Sequence, residues 1–242
     1  MSKSNYTKKI VTIHQPDFMP WLGLFVKINK ADTFVVLDNV INKYNAQNWL
    51  RRVKLSTKLG SYWLTVTVQK SLKSSFVPIN KMKINKNIDY SNALETIRRT
   101  YAKAEYFNDI YPLVENWFNS EEELLSKRNI NFIIDIMNRL EISTEIVYVK
   151  SLSCKGKSNE LLIEILKSQN ADIYLCGDGA GGYQKNEMYL EHGIEVEYNN
   201  FKSKEYKQVN TKKFEPNLSI IDALMNIGVE GTKKLIKEMS LR

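Results

Sequence analysis

One stretch constrains the fold more than any other. Residues 10–38 read IVTIH, QPDFMP, WLGLFVKIN, KAD, TFVVLD. The first and last segments are β-branched apolar runs, the signature of buried strands. Pro16 removes a ladder donor directly after His14, so the first strand ends there. Pro20 suits the first turn of a helix, and Trp21, Leu24, Phe25 and Ile28 recur at helical spacing. Strand, Pro-bearing loop, helix and strand make a short βαβ unit whose loop leaves the strand's carboxyl end. In open α/β sheets, ligands bind at that edge.

The pattern continues along the chain. SYWLTVTV (61–68) reads as a strand, and VPINKMKI (77–84) as another with Pro78 at an edge. A helical region follows over 91–104, 106–118 and 120–140, its third helix opened by a Ser120–Glu123 capping box. EIVYVK (145–150), a helix over 158–169, ADIYLCG (171–177) and a strand within 192–201 restore the α/β alternation. LSIIDALMNIG closes with a helix that ends at Gly228. The order predicts an α/β fold: a Rossmann-like, mostly parallel sheet flanked by helices, with a helical insertion mid-chain. We read residues 1–242 as a single domain with a helical subdomain over 91–140.

Charge and cysteine usage narrow the function classes. Thirty-five Lys and Arg against 27 Asp and Glu give a net charge of +8. That excess favours an anionic partner. The lysines are scattered, which argues against a dedicated nucleic-acid patch. Cys154 and Cys176 lack metal-ligand spacing and only two histidines exist, so neither a zinc site nor any other metal or cofactor is expected. No apolar run approaches the roughly 18 residues of a membrane span. The opening MSKSNYTKKIVTIHQP carries no long apolar segment or small-residue cleavage site, so the expected location is cytoplasmic.

Several residues could carry chemistry. His14, at the mouth of the sheet, suits phosphate binding or proton transfer, though a lone histidine more often caps a loop. Asp38 and Asn39 end the second strand, where a carboxylate can bind a sugar hydroxyl, act as a base or close an Asx-turn. NWLRRVK sets Trp49 beside Arg51, Arg52 and Lys54. Guanidinium forks match phosphates and an indole stacks on a base or sugar, although most charge runs are solvated faces. GDGAGGY offers bare amides at Gly177, Asp178 and Gly179, with Tyr183 able to close the site. It matches neither a P-loop nor the dinucleotide fingerprint. Cys176 is read as a small buried hydrophobe, His192 as a cap and Asp222 as a surface residue.

The blocks IHQPDFMPWLGLFVKINKADTFVVLDNV, WLRRVK, YWLTVTV, TYAKAEYFNDIYPLVE, KSNELLIEILKSQNADIYLCG and FEPNLSIIDALMNIG run nearly the whole chain. In this order they resemble the WbqC-like family. CGDGAGGY departs from the family pattern, where Ser-Gly precedes a different small-residue run. The resemblance implies a role beside O-antigen and other bacterial surface-polysaccharide biosynthesis. It carries His14, Gln15, Pro20, Trp21, Asp38, Arg52, Gly177 and Tyr183 as site positions. The expected activity is acyl or aminoacyl transfer to a nucleotide-linked amino sugar, with His14 and Asp38 deprotonating the amine. Two alternatives stay open. One is nucleotidyl transfer through the N-terminal His loop, although Pro16 and Asp17 stand where an HxGH site needs its second histidine. The other is a non-catalytic nucleotide-sugar-binding partner.

Overall fold

The computed structural model describes residues 7–43, 49–58, 60–69, 76–179, 184–209 and 211–241. Five parallel strands form the central sheet: β1 (Ile10–His14), β2 (Thr33–Val36), β7 (Glu145–Tyr148), β8 (Ile173–Cys176) and β9 (Glu195–Tyr198). Their order is β7-β2-β1-β8-β9. β2 and β8 are buried along their length, which explains why both read as unbroken apolar runs. Glu145, Glu195 and Glu197 put charge on the two edge strands. The Rossmann-like α/β expectation holds.

The order carries the main structural consequence. From β1 the chain steps outward to β2 and then β7, returns to the other side of β1 at β8, and steps outward again to β9. The direction of winding therefore reverses between β1 and β8. Loops leaving the carboxyl ends of those two strands diverge and leave a crevice. Periodicity alone does not order strands, so this position emerges only in the fold.

Strand alternation sorts side chains to the two faces. Val11, Ile13 and Val35 join Leu161, Ile165 and Leu166 of helix α5 (Asn159–Ser168) and Tyr189 of α6 (Asn186–Leu190). Phe34 and Val36 join the larger core with α1 (Leu22–Asn29) and α7 (Ile220–Ser240). The mid-chain helices α2 (Ser91–Tyr101), α3 (Phe107–Asn119) and α4 (Leu125–Arg139) belong to that same core. So does the hairpin of β4 (Arg52–Thr57) and β5 (Gly60–Thr65), through Val53, Leu55 and Leu64. A second small pair joins β3 (Ile41–Lys43) to β6 (Phe76–Pro78). Among the described residues no helix is long and apolar enough to cross a membrane.

Two expected helix boundaries are corrected. The capping box does not form: Ser120 Oγ accepts from the Glu122 amide and α4 begins only at Leu125. Glu123 and Leu124 pair instead with the segment around Lys83 and Ile84. Nor does the last helix end at Gly228. The backbone breaks there, with φ of 70°, and the helix resumes to Ser240. The Tyr106 ring lies 2.8 Å from where a Cβ at Gly228 would stand, so glycine meets both a left-handed backbone and a close approach.

Candidate functional site

The end of β1, the loop after it and α1 bring three ionisable groups together at the crevice: His14, Asp17 and Lys27. His14 ends β1 on the face covered by α1. From that helix Lys27 reaches back, its Nζ 3.1 Å from His14 Nδ1 and 3.4 Å from the Ile13 carbonyl. On the other side of the ring, Asp17 Oδ2 lies 3.1 Å from His14 Nε2. The His14 side chain keeps 30% of its surface exposed, whereas Lys27 is only 2% exposed. Burial first, then the Lys27 charge, pushes the His14 pKa down, against Asp17. Burial also brings the Lys27 ammonium down to about 8, opposed by Cys176, Asp17 and Asp178. Among the described residues Lys27 has no ion-pair partner, an expensive arrangement for a buried cation.

The loop is tied down from several sides. Met19 takes a φ of 40°, and its carbonyl accepts from Ser219 Oγ at 2.7 Å. The Pro20 carbonyl accepts from the Ile220 amide at 2.8 Å, so Pro20 precedes α1 and abuts the start of α7. Trp21, the N-cap of α1, packs edge-on against Phe201 with centroids 4.8 Å apart. Gln15 is half-buried beside His14.

Across the crevice, Cys176 is buried at the end of β8, and burial pushes its thiol pKa up. Asp178 accepts from the amides of Asn200 and Phe201 at 2.6 and 3.1 Å, joining the β8 loop to the end of β9. A Cβ at Gly177 or Gly179 would meet nothing within 4 Å, and neither position has a left-handed φ. Both glycines therefore border open space and not packing. Gly177→Ala is expected to leave thermal stability within about 0.5 kcal/mol of the parent. It should weaken ligand binding at least several-fold, measured by calorimetry beside a melting curve.

Asp38 stands at the neighbouring strand end. The Leu37 amide donates to the His14 carbonyl at 2.9 Å, which holds the two strand ends together. Asp38 is only 9% exposed, and among the described residues its Oδ1 is buried without a hydrogen-bond partner. Burial raises its pKa, against the nearby Lys150 charge. Asn39 is exposed. Strands β1 and β2 are neighbours, yet His14 bonds with Asp17 and Lys27.

The remaining candidates lie on the hairpin arm or outside the described residues. Arg52 stacks over the Trp63 ring at 3.8 Å, and Trp63 meets Trp49 edge-on at 5.0 Å. Trp49 and Trp63 are each about 40% exposed. Arg51 is buried near the Val66 carbonyl, and Lys54 pairs with Glu215 at 2.6 Å. The arm joins the β1–α1 loop through the Phe18 amide, which donates to the Trp49 carbonyl at 3.0 Å. Tyr183 lies outside the described residues.

Lys27 and Asp17 escape sequence reasoning, although one signal exists for the first. In LGLFVKIN, Lys27 and the terminal Asn29 are the polar side chains, and Leu22 to Ile28 are all buried. A helix that is apolar all round leaves its lysine no solvated face.

The family model of the WbqC-like protein family matches residues 15–234, starting directly after His14. The chain belongs to the WbqC-like protein family. A relative in Mycobacterium tuberculosis (strain ATCC 25618 / H37Rv), the uncharacterized protein Rv1507c, is 28% identical over 225 residues. That alignment covers 92% of this chain and 95% of the relative. No solved structure matches the chain. The crevice between β1 and β8 thus falls almost wholly inside the matched region of this WbqC-like chain.

Proposed function

We propose that this WbqC-like chain is a transferase that moves an acyl or aminoacyl group onto the amine of a nucleotide-linked sugar, bound at the β1/β8 crevice. One observation carries the reading. Two buried groups of opposite charge sit at the carboxyl end of the sheet: Lys27 on α1 without an ion pair among the described residues, and Asp38 just past β2 with an oxygen that no described donor reaches. A ligand with a phosphate and an ammonium complements both, and a nucleotide-linked amino sugar has that pattern. The family resemblance supports a role in bacterial surface-polysaccharide assembly, including the O-antigen of lipopolysaccharide.

In this reading the amine nitrogen attacks the acyl carbon of a separate donor. Asp38 first takes one proton from the bound ammonium and so frees the lone pair. As the C–N bond forms, the bond to the donor's leaving group breaks, and that group departs with the bonding pair and takes the second nitrogen proton. A carboxylate whose pKa is raised by burial suits the first of these transfers. Exposed Trp49 and Trp63, with Arg52, offer a stacking face for the base.

A thermal-shift panel of uridine-, thymidine- and guanosine-diphosphate amino sugars, with ATP–Mg²⁺ as comparator, tests the reading. A ligand at about 100 times its Kd adds about 2.7 kcal/mol, or roughly 5–10 °C for a chain this size. A shift with one diphosphate amino sugar is expected, followed by acyl transfer to it. Asp38→Asn is expected to slow that transfer about 100-fold or more while changing affinity far less, read as a kcat loss. A shift with ATP–Mg²⁺ alone and release of pyrophosphate would replace transfer by nucleotidyl chemistry. Binding with no turnover under any donor would leave a binding partner.

A further inference from the structure

His14 is the side chain that sequence reasoning singles out as a base, yet neither of its ring nitrogens is free. An ammonium only donates, so the 3.1 Å contact from Lys27 Nζ makes His14 Nδ1 an acceptor. A carboxylate only accepts, so the 3.1 Å contact to Asp17 Oδ2 requires a hydrogen on Nε2. Those two contacts are compatible with one neutral form of the ring. Both partners are themselves buried: Lys27 is 2% exposed and the Asp17 side chain 9%. They come from different elements, α1 and the loop that follows β1, so fold packing holds the clamp from both sides.

We infer that Lys27 is a positioning residue which, together with Asp17, locks His14 as a neutral imidazole with its hydrogen on Nε2. With Nδ1 accepting from Lys27 and Nε2–H donating to Asp17, neither ring nitrogen is left for a substrate, and the histidine is a fixed wall of the crevice. The Lys27 charge opposes a second proton on the ring, and Asp17 orients the one it has. Cys176 and Asp178, at the end of β8 and in its loop, are the other titratable groups facing Lys27. Within the transferase reading, on which this last step rests, the clamp leaves Asp38 to take the proton of the attacking amine.

The chain has two histidines, so the ring ¹⁵N spectrum holds two spin systems, and a His192→Gln variant assigns them. We expect His14 to show the single Nε2–H tautomer at pH 7.5. In Lys27→Met the His14 titration midpoint should rise by about one pH unit, because a like charge has gone. In Asp17→Asn the Nε2–H tautomer should persist, because Lys27 still donates to Nδ1 and the Asn Oδ1 still accepts. The His14 titration midpoint should fall there, because the carboxylate that favours the imidazolium has gone. Comparable amounts of both tautomers in the parent chain would overturn the inference. So would a Lys27→Met midpoint equal to the parent's. If Lys27→Met fails to fold, Asp17→Asn decides alone, and a His14 midpoint equal to the parent's, or a switch to Nδ1–H, counts against the lock. None of these readouts uses a substrate, so the lock and the transferase reading fail separately.

Discussion

Replacing Asp222 with alanine is expected to lower the unfolding free energy by about 3–4 kcal/mol, a drop of roughly 6–16 °C in melting temperature. Asp222 is fully buried on α7. Its carboxylate accepts from Tyr101 and Tyr206 hydroxyls at 2.9 and 2.7 Å, and from Gln208 Nε2 at 3.0 Å. Tyr101 Oη in turn accepts from the Ser56 amide at 3.3 Å. One carboxylate therefore ties together α2, the hairpin strand β4, the segment before α7 and α7 itself. Alanine leaves Tyr101 Oη buried with no acceptor for its hydrogen, and loses two further bonds. Asp222→Asn retains one acceptor oxygen and should cost less, about 1–2 kcal/mol. Urea unfolding of the three proteins checks the ordering. A loss below 1 kcal/mol for the alanine variant would mean that the network contributes little.

Lys27→Met is expected to have the opposite profile. Methionine fills the same buried stem without a charge. At pH 7 the variant should be as stable as the parent or more stable, by up to about 3 kcal/mol. The sign follows from linkage. With Lys27 at about 8 in the folded chain and 10.5 unfolded, the unfolded state binds more protons between those values, so parent stability rises with pH across that window. The excess stability of the variant should therefore shrink between pH 8 and 10.5. Burial raises the pKa of Tyr101 and Tyr206, which opposes stability above pH 10, but both chains share that effect and it cancels in the difference. Affinity for a diphosphate sugar should fall several-fold, because the buried positive charge behind His14 attracts the phosphates without touching them. A variant that is less stable yet binds normally would assign Lys27 a structural role.

The two residues show what a sequence exposes and what it hides. β1, α1 and β2 are legible because buried strands and a short apolar helix have their own patterns, and the prolines mark the loop between them. His14 is legible as an imidazole at a strand end. Lys27 is not, because a basic residue near a helix end ordinarily satisfies the helix dipole and its stem snorkels to water. Only the burial of the whole helix denies it that route. Asp222 reads as a solvated acid in a helix's first turn, and its burial depends on Tyr101, Tyr206 and Gln208, brought in from other parts of the chain. NWLRRVK reads as a charge run because its apolar Leu50 and Val53, both buried in the core, are separated by Arg51 and Arg52. Strand order was equally hidden. β1 and β8 meet through a long-range register, Ile10 with Ile173 and Val11 with Tyr174, and that pairing creates the crevice.

The measurement that tests the site most directly is an amide NMR titration of the ¹⁵N-labelled chain with a nucleoside diphosphate amino sugar. With the ligand seated at the carboxyl ends of β1, β2 and β8, shifts should concentrate at Gln15, Gly23 in the first turn of α1, Leu37, Gly177 and Gly179. Shifts confined to the β4–β5 hairpin or to α5, with those five amides unmoved at saturation, would contradict it.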